Sequence, residues 1–244
     1  VEGLKVSAVV AAYNEEKTIG GILRSLSASP LVDEVIVVSD GSTDRTVEVA
    51  RSYEVRTIAL RRNRGKGNAM RVGVNQASGD VVFFVDADML DLSDQHIHAL
   101  VAPVRAGHCD MNVGVRHRGP VLDFLHMKLH FGPVLSGIRV MRREVWSAVP
   151  LAYKERFKIE LALNYFCRLA GFRQKNTVIH ALGHVRKEAK RGFPRGFAAR
   201  FAMTREVFLL HFDLYFFQTW RWSIGRDALI PIQDYELSEA DVLD

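Results

Sequence analysis

The chain has 244 residues, of which 48% are hydrophobic and 25% charged, with a formal net charge of +5. That balance excludes a disordered, collagenous or disulfide-stapled chain and is enough for one large core. The mild positive excess fits an anionic ligand or an anionic surface, and nothing in it calls for nucleic acid.

Residues 5–13, "KVSAVVAAY", read as a buried strand, and 14–26, "NEEKTIGGILRSL", as the helix that follows. Asn14 is placed to cap that helix, and Glu15 and Glu16 suit its positive end. Residues 34–40, "EVIVVSD", form a second strand, and "GSTDRTVEVARSY" turns into a second helix. A third strand spans 55–60, followed by the basic glycine loop "RRNRGKGNAM", a short helix near 67–77 and the strand "VVFFV" at 81–85. Strand–helix alternation with continuous apolar strands predicts a parallel sheet covered on both faces.

Beyond residue 92 the pattern loosens. It predicts a helix near 93–106, short strands around 110–116 and 137–141, and a helix from about 156 to 170. Composition then shifts to arginine, phenylalanine and glycine, which divides the chain into 1–190 and a helical, basic and aromatic segment at 191–244. Cys109 and Cys167 lack metal-ligand spacing, so a reducing compartment is expected. No secretory leader is read at the start and no apolar run reaches membrane-spanning length, so a cytoplasmic chain is expected.

Ligands of open parallel sheets bind at the carboxyl ends of the strands. The unusual polar clusters all fall there: Tyr13-Asn14-Glu15, Asp40-Gly41-Ser42, Arg64-Gly65-Lys66-Gly67 and Asp86-Ala87-Asp88. The first strand is not followed by G-x-G-x-x-G, and G-x-x-x-x-G-K-[ST] is absent, which disfavours a dinucleotide site and excludes a P-loop. The basic loop, with Arg61, Arg62, Arg64 and Lys66, suits phosphates before a helix N-terminus, although a solvated loop has the same composition. Period-two alternation would aim Asp86 and Asp88 the same way. Hard cations such as Mg²⁺ or Mn²⁺ prefer such oxygen ligands, while a pair of capping aspartates is the bland alternative.

Together, "VVAAYNEEKTIGGIL", "EVIVVSDGSTDRT", "RNRGKGNAM" and "GDVVFFVDADM" resemble the inverting family-2 glycosyltransferases with the GT-A fold. The likeness leans toward polyprenyl- or dolichyl-phosphate sugar synthases and glucosyl-3-phosphoglycerate synthases. "SGIRVMRREVW" resembles their acceptor-side segment and "FKIELALNYFCRLAGFR" the helix after it. The resemblance implies a GT-A type α/β fold, a mostly parallel sheet flanked by helices with a C-terminal helical segment. It implies a transferase moving a sugar from a UDP- or GDP-sugar to a lipid-phosphate or small hydroxyl acceptor. Ala11, Tyr13 and Glu15 would line the base and ribose pocket, with Asp40 on the base and Gly41 beside it. Arg64 and Lys66 would lie along the phosphates, and Ala87 between the two aspartates would complete the donor pocket. Asp86 would approach the ribose of the nucleotide sugar or the metal, and Asp88 would hold Mg²⁺ or Mn²⁺ and is counted among the catalytic groups. The first motif reads Ala-Ala-Tyr where many relatives carry a proline, which bears on pocket rigidity. Both anomeric outcomes occur on this fold. The rival readings are a sugar-phosphate nucleotidyltransferase and a nucleotide-sugar-binding module without turnover.

A hydroxyl acceptor needs a base, and Glu160 matches the relatives' acidic position. Periodicity alone leaves a second reading open, because Glu160, Asn164 and Arg168 could be the solvent stripe of an amphipathic helix. His126 and His130, four apart with no acid beside them, read as helix surface. His184 matches a position where some relatives complete the metal shell, and an ordinary loop histidine is the alternative. The tail carries Arg186, Lys187, Lys190, Arg191, Arg195, Arg200 and Arg205 against Glu188, and Phe197, Phe201, Phe208 and Phe212 share one helical face. A peripheral contact with the inner face of a membrane, packing on the catalytic domain and a homo-oligomer contact all fit that composition.

Overall fold

A computed structural model describes residues 3–117, 136–154, 158–180, 183–184 and 242–243. Strand β1, Val6–Ala12, and strand β4, Val81–Asp86, lie side by side in parallel, with β2, Glu34–Ser39, on the other side of β1. Strand β3, Arg56–Leu60, continues the parallel run beyond β2. Beyond β4 come β6, Met111–Arg116, β7, Arg139–Arg142, and β8, Gln174–Ile179. Two short strands remain to be placed: β5, Met89–Leu90, pairs with β9, Gly183–His184, and β10, Val242–Leu243, borders β3. Among the described residues the main sheet has eight strands in the order β10-β3-β2-β1-β4-β7-β6-β8.

The sheet is mixed rather than wholly parallel. Strand β7 runs antiparallel to both β4 and β6, and β10 runs antiparallel to β3. Strand β7 meets β4 directly in the reversed direction, with Val81 opposite Arg142 and Phe84 opposite Arg139.

Alternation sorts the strand residues onto two cores. On one face Val6, Ala8, Val10, Phe83, Val85 and Val140 pack with helix α1, Ile19–Ala28, and helix α4, Asp94–Arg105. Helix α1 contributes Ile19, Ile22, Leu23 and Leu26, all at most 1% exposed, and each such burial stabilises by about 1.5–3 kcal/mol. On the other face Val9, Val82, Phe84, Val113 and Met141 meet α3, Lys66–Gln76, α5, Arg143–Ser147, and α6, Lys158–Leu169. Phe84 and Trp146 stack there with centroids 5.2 Å apart. Helix α2, Thr46–Arg51, covers the edge near β2 and β3.

Helix α1 begins at Ile19, not at Glu15, and Asn14 does not cap it. Asn14 takes a left-handed backbone at φ 57°, and its Oδ1 accepts from Thr43 N at 2.8 Å. The Asn14–Thr18 segment is taken instead by the loop after β2, which offers it better partners than a helical turn. Asn14 N donates to Ser42 Oγ at 3.1 Å, Glu15 N to Thr46 Oγ1 at 2.7 Å and Glu16 N to Asp44 Oδ2 at 3.2 Å. Arg45 N returns a bond to Glu16 Oε2 at 3.1 Å.

The boundary at residue 190, His126 with His130, and the expected helical segment 191–244 apart from Val242–Leu243 lie outside the described residues; those two form a strand beside β3 rather than helix. Among the described residues no helix is long and apolar enough to cross a membrane.

Candidate functional site

The site grows from the carboxyl ends of β1, β2 and β4. In the β1–β4 register Ala11 stands beside Asp86, which puts the first and fourth polar clusters next to each other. Tyr13, 37% exposed, projects from the loop that the Ser42–Thr46 segment holds. Glu15 Oε2 accepts from Thr18 Oγ1 at 3.0 Å, so that carboxylate braces its own turn.

The basic loop is built around Asp40. This carboxylate is buried, and its two oxygens accept from Arg64 N at 2.8 Å and Gly65 N at 2.7 Å. Burial pushes its pKa above the ordinary value, against the pull of those two amides and the Arg64 charge. Gly41 has φ +69°, and a Cβ there would come within 2.6 Å of the Arg62–Asn63 backbone. Only glycine allows both the turn and that approach. Asp40 and Gly41 therefore shape the loop, while the Arg61, Arg62 and Arg64 side chains stand exposed at its rim.

Lys66, the first residue of α3, turns inward. Its Nζ lies 2.6 Å from Asp86 Oδ1 and 2.6 Å from Glu160 Oε1. Burial works against its charge, yet the two carboxylates outweigh burial and raise its pKa above the ordinary lysine value. Val82, Phe84 and Asp86 share one face of β4, the face that α3 and α6 cover, so all three charged groups meet where two helix N-termini converge. That end of a helix favours anions, which suits Glu160 in the first turn of α6.

Glu160 and Asn164 are only 8% and 5% exposed, so they do not form a solvent stripe, and Arg168 alone of the three faces water. The Glu160 stripe reading fails because the apolar sheet and Lys66 claim that face. Asp86 and Asp88 also depart from strict alternation. Strand β4 ends at Asp86, residues 87–88 form a turn with Ala87 buried, and Asp88 is half-buried beyond it. What brings position 184 near this turn is β9, whose His184 stands opposite Met89. The His184 side chain lies outside the described residues. Among the described residues no three His, Cys, Asp or Glu side chains are grouped tightly enough to hold a metal ion.

Two residues that carry this geometry went unread in the sequence. Continuing the β4–β7 register places Gly137 across from Asp86, and a Cβ on Gly137 would fall inside the Asp86 carboxylate. Arg139 is wholly buried. Its Nε and Nη2 donate to Ser136 O at 3.2 and 2.7 Å, and its Nη1 to Glu160 O at 3.2 Å. Burial lowers its pKa, opposed by the charges of Glu160 and Asp86. The guanidinium thus ties the loop under Asp86 to the helix that bears Glu160. The signal was present in "SGIRV", where a small pair precedes an arginine inside an apolar strand.

Such an arrangement can neutralise a polyanion at the loop and helix ends while keeping two carboxylates beside it. A glucosyl-3-phosphoglycerate synthase from Mycobacterium tuberculosis, solved with Mn²⁺, UDP-glucose and phosphoglyceric acid, superposes with TM-score 0.70 at 26% identity. That match covers 86% of this chain and 79% of the other. The curated enzyme of that name from the H37Rv strain is 33% identical over 204 residues, 68% of this chain and 62% of the relative. A dolichyl-phosphate beta-glucosyltransferase of Drosophila melanogaster is 42% identical over 101 residues, 35% of this chain and 31% of the relative. The chain thus spans less than two thirds of the length of these curated relatives. The family model described as glycosyl transferase family 2 matches residues 7–177, from β1 into β8, and the chain belongs to that family.

Proposed function

We propose that this chain transfers glucose from UDP-glucose to a phosphate-bearing acceptor, with a divalent cation in the site. The Lys66–Asp86–Glu160 cluster carries the reading, because it joins a phosphate-facing loop to an acceptor-side carboxylate across 2.6 Å contacts. A leaving diphosphate needs neutralising charge, and Lys66, Arg64 and the α3 N-terminus supply it from one side. Asp40 and Gly41 hold the loop that would flank the nucleotide, and Ala11, Tyr13, Glu15 and Ala87 surround the remaining space. Asp86 and Asp88, with His184, would hold Mg²⁺ or Mn²⁺. The donor set fits, since Asp86 already binds a cation, the Lys66 ammonium, and hard cations prefer carboxylate oxygens. When bound, that cation stabilises charge developing on the leaving phosphate. UDP-glucose is favoured because the superposed synthase was solved with it.

A small phosphorylated acceptor with a reacting hydroxyl fits best, since the synthase likeness covers most of this chain. Glu160 would take the hydroxyl proton. A lipid phosphate is the second reading. It is favoured by the local identity to the dolichyl-phosphate enzyme and by the basic, phenylalanine-bearing tail, which would lie on a membrane surface. A nucleotidyltransferase or a binding module without turnover would release no glucosylated product. The test is incubation with UDP-glucose and Mn²⁺ and either 3-phosphoglycerate or a short polyprenyl phosphate. UDP release with a glucosylated product is expected, lost in Asp88→Ala. No product from either acceptor, with no UDP release above background, would sink the reading.

A further inference from the structure

We propose that Lys66 is a positioning residue that makes capture of the divalent cation wait for the nucleotide. The inference rests on the metal-dependent reading above. The ammonium occupies the place where a cation would be useful, 2.6 Å from Asp86 Oδ1, and it holds Glu160 by a second 2.6 Å contact. It is poorly exposed, with 17% of its side chain accessible, and Asp86 at 25% is little more open.

The charges of the cluster are balanced before any ligand arrives. Asp86 and Glu160 face Lys66 and the wholly buried Arg139, two anions against two cations. A lone divalent cation entering there meets no net attraction from these four groups and strong repulsion from an ammonium in contact with its ligand. The Gly137 backbone lies directly against the Asp86 carboxylate and closes one side of it. The ammonium, by contrast, is on a flexible stem rooted at the first residue of α3, next to the exposed rim of the basic loop. A diphosphate bound along that loop offers the ammonium a replacement anion. Moving Nζ toward it uncovers Asp86 Oδ1 and adds negative charge beside the vacated position. The same motion releases Glu160 from its ion pair, so the carboxylate facing the acceptor is freed only when the donor is in place. Metal and nucleotide should bind with strong positive coupling, and Lys66 should be its source.

Titration of the full chain with Mn²⁺, followed by the loss of free-Mn²⁺ electron paramagnetic resonance, tests this with no turnover required. Wild type should bind Mn²⁺ at least about tenfold more tightly with UDP than without it. Lys66→Met should bind Mn²⁺ alone about tenfold more tightly than wild type does, and UDP should then improve Mn²⁺ binding less than about threefold. Lys66→Gln, which keeps a hydrogen-bonding group without the charge, should behave like Lys66→Met, and melting curves confirm that both are folded. If wild type takes up Mn²⁺ with UDP but neither variant binds Mn²⁺ alone better than wild type, this inference is overturned while the metal reading stands. It is overturned equally if wild type binds Mn²⁺ as tightly without UDP. If wild type takes up no Mn²⁺ even with UDP, the metal reading itself falls and takes this inference with it.

Discussion

Replacing Gly137 by alanine should damage the site with a single methyl group. A Cβ at that position would overlap the Asp86 carboxylate, with Cγ and both oxygens too close to coexist with it. The backbone there needs no left-handed conformation, so the penalty is steric alone. Two escapes exist. The carboxylate can rotate off Lys66, breaking the 2.6 Å contact, or the loop can retreat and strain the 2.7 Å bond from Arg139 Nη2 to Ser136 O. Overpacking of this kind costs about 1–3 kcal/mol. At about 2–4 °C per kcal/mol for a chain of this size, Tm should fall by roughly 2–12 °C. Because Asp86 is the group displaced, affinity for Mn²⁺ with UDP should drop about tenfold or more, a 1.4 kcal/mol effect. Gly21→Ala is the control. Gly21 lies in α1 with nothing within 4 Å of its added Cβ, and helix propensity predicts a gain of about 0.5–1 kcal/mol. Calorimetric melting and titration of both variants decide it. A Gly137→Ala protein that melts and binds like wild type would refute the close approach of that loop to Asp86.

Glu160→Gln should lower transfer to a hydroxyl acceptor by a factor of about 10² to 10⁴ but only dent transfer to a phosphate, which is largely ionised at neutral pH. Equal rates for the variant and wild type with 3-phosphoglycerate would exclude Glu160 as the base. Burial pushes the Asp110 pKa up, but bonds from Arg173 N at 2.8 Å and Nε at 3.2 Å more than offset it and hold the value below the ordinary one. A depressed carboxylate contributes stability that is present above its unfolded pKa of about 3.9 and lost as pH falls toward the folded value. Asp110→Asn should lack that acid-side loss, and urea midpoints that run parallel to wild type between pH 3 and 6 would show the pairing to be idle. Cys109 and Cys167 are both free and buried, and burial pushes the Cys167 thiol up to about 12. Native protein should therefore resist a thiol-disulfide reagent at pH 7.5 and label at both positions on unfolding, whereas rapid native labelling at Cys167 would contradict its burial.

The first ninety residues were legible because their signals are local. Apolar runs, glycine turns and caps within residues 5–90 specify strands and helices almost one at a time, and the polar clusters fall at strand ends by periodicity. Helix α1 is the exception there. Asn14 is an excellent cap by composition, yet Ser42, Thr43, Asp44 and Thr46 outbid the helix for the residues around it. That competition runs over about thirty positions of sequence separation, where periodicity carries no information. Glu160 was legible as a candidate but not as a buried one, since an i, i+4 polar stripe has the same pattern facing water or facing a buried lysine. Gly137 and Arg139 went unread for a different reason. Their roles depend on β7 running antiparallel beside β4, and no window of sequence reports the direction of a neighbouring strand.

That reversed strand is what joins Asp86 and Glu160 into one cluster. A parallel neighbour would arrive at the carboxyl end of β4 with its own carboxyl end, followed by a loop free to wander. Strand β7 arrives there with its beginning, so Ser136 and Gly137 lie against Asp86 before the chain enters the sheet. Arg139 then reaches back to the Ser136 carbonyl and across to the Glu160 carbonyl, tying the loop against Asp86 and the helix that bears Glu160 to one guanidinium. A lysine there could satisfy either carbonyl but not span both, because the planar fork is what lets one side chain hold two directions at once. Its buried charge is tolerated because Asp86 and Glu160 lie close enough to oppose the cost of desolvation. Lys66 closes the same circuit from the opposite helix, on a stem that can move where the guanidinium cannot. The fixed cation holds the geometry and the mobile one is left to respond to the ligand.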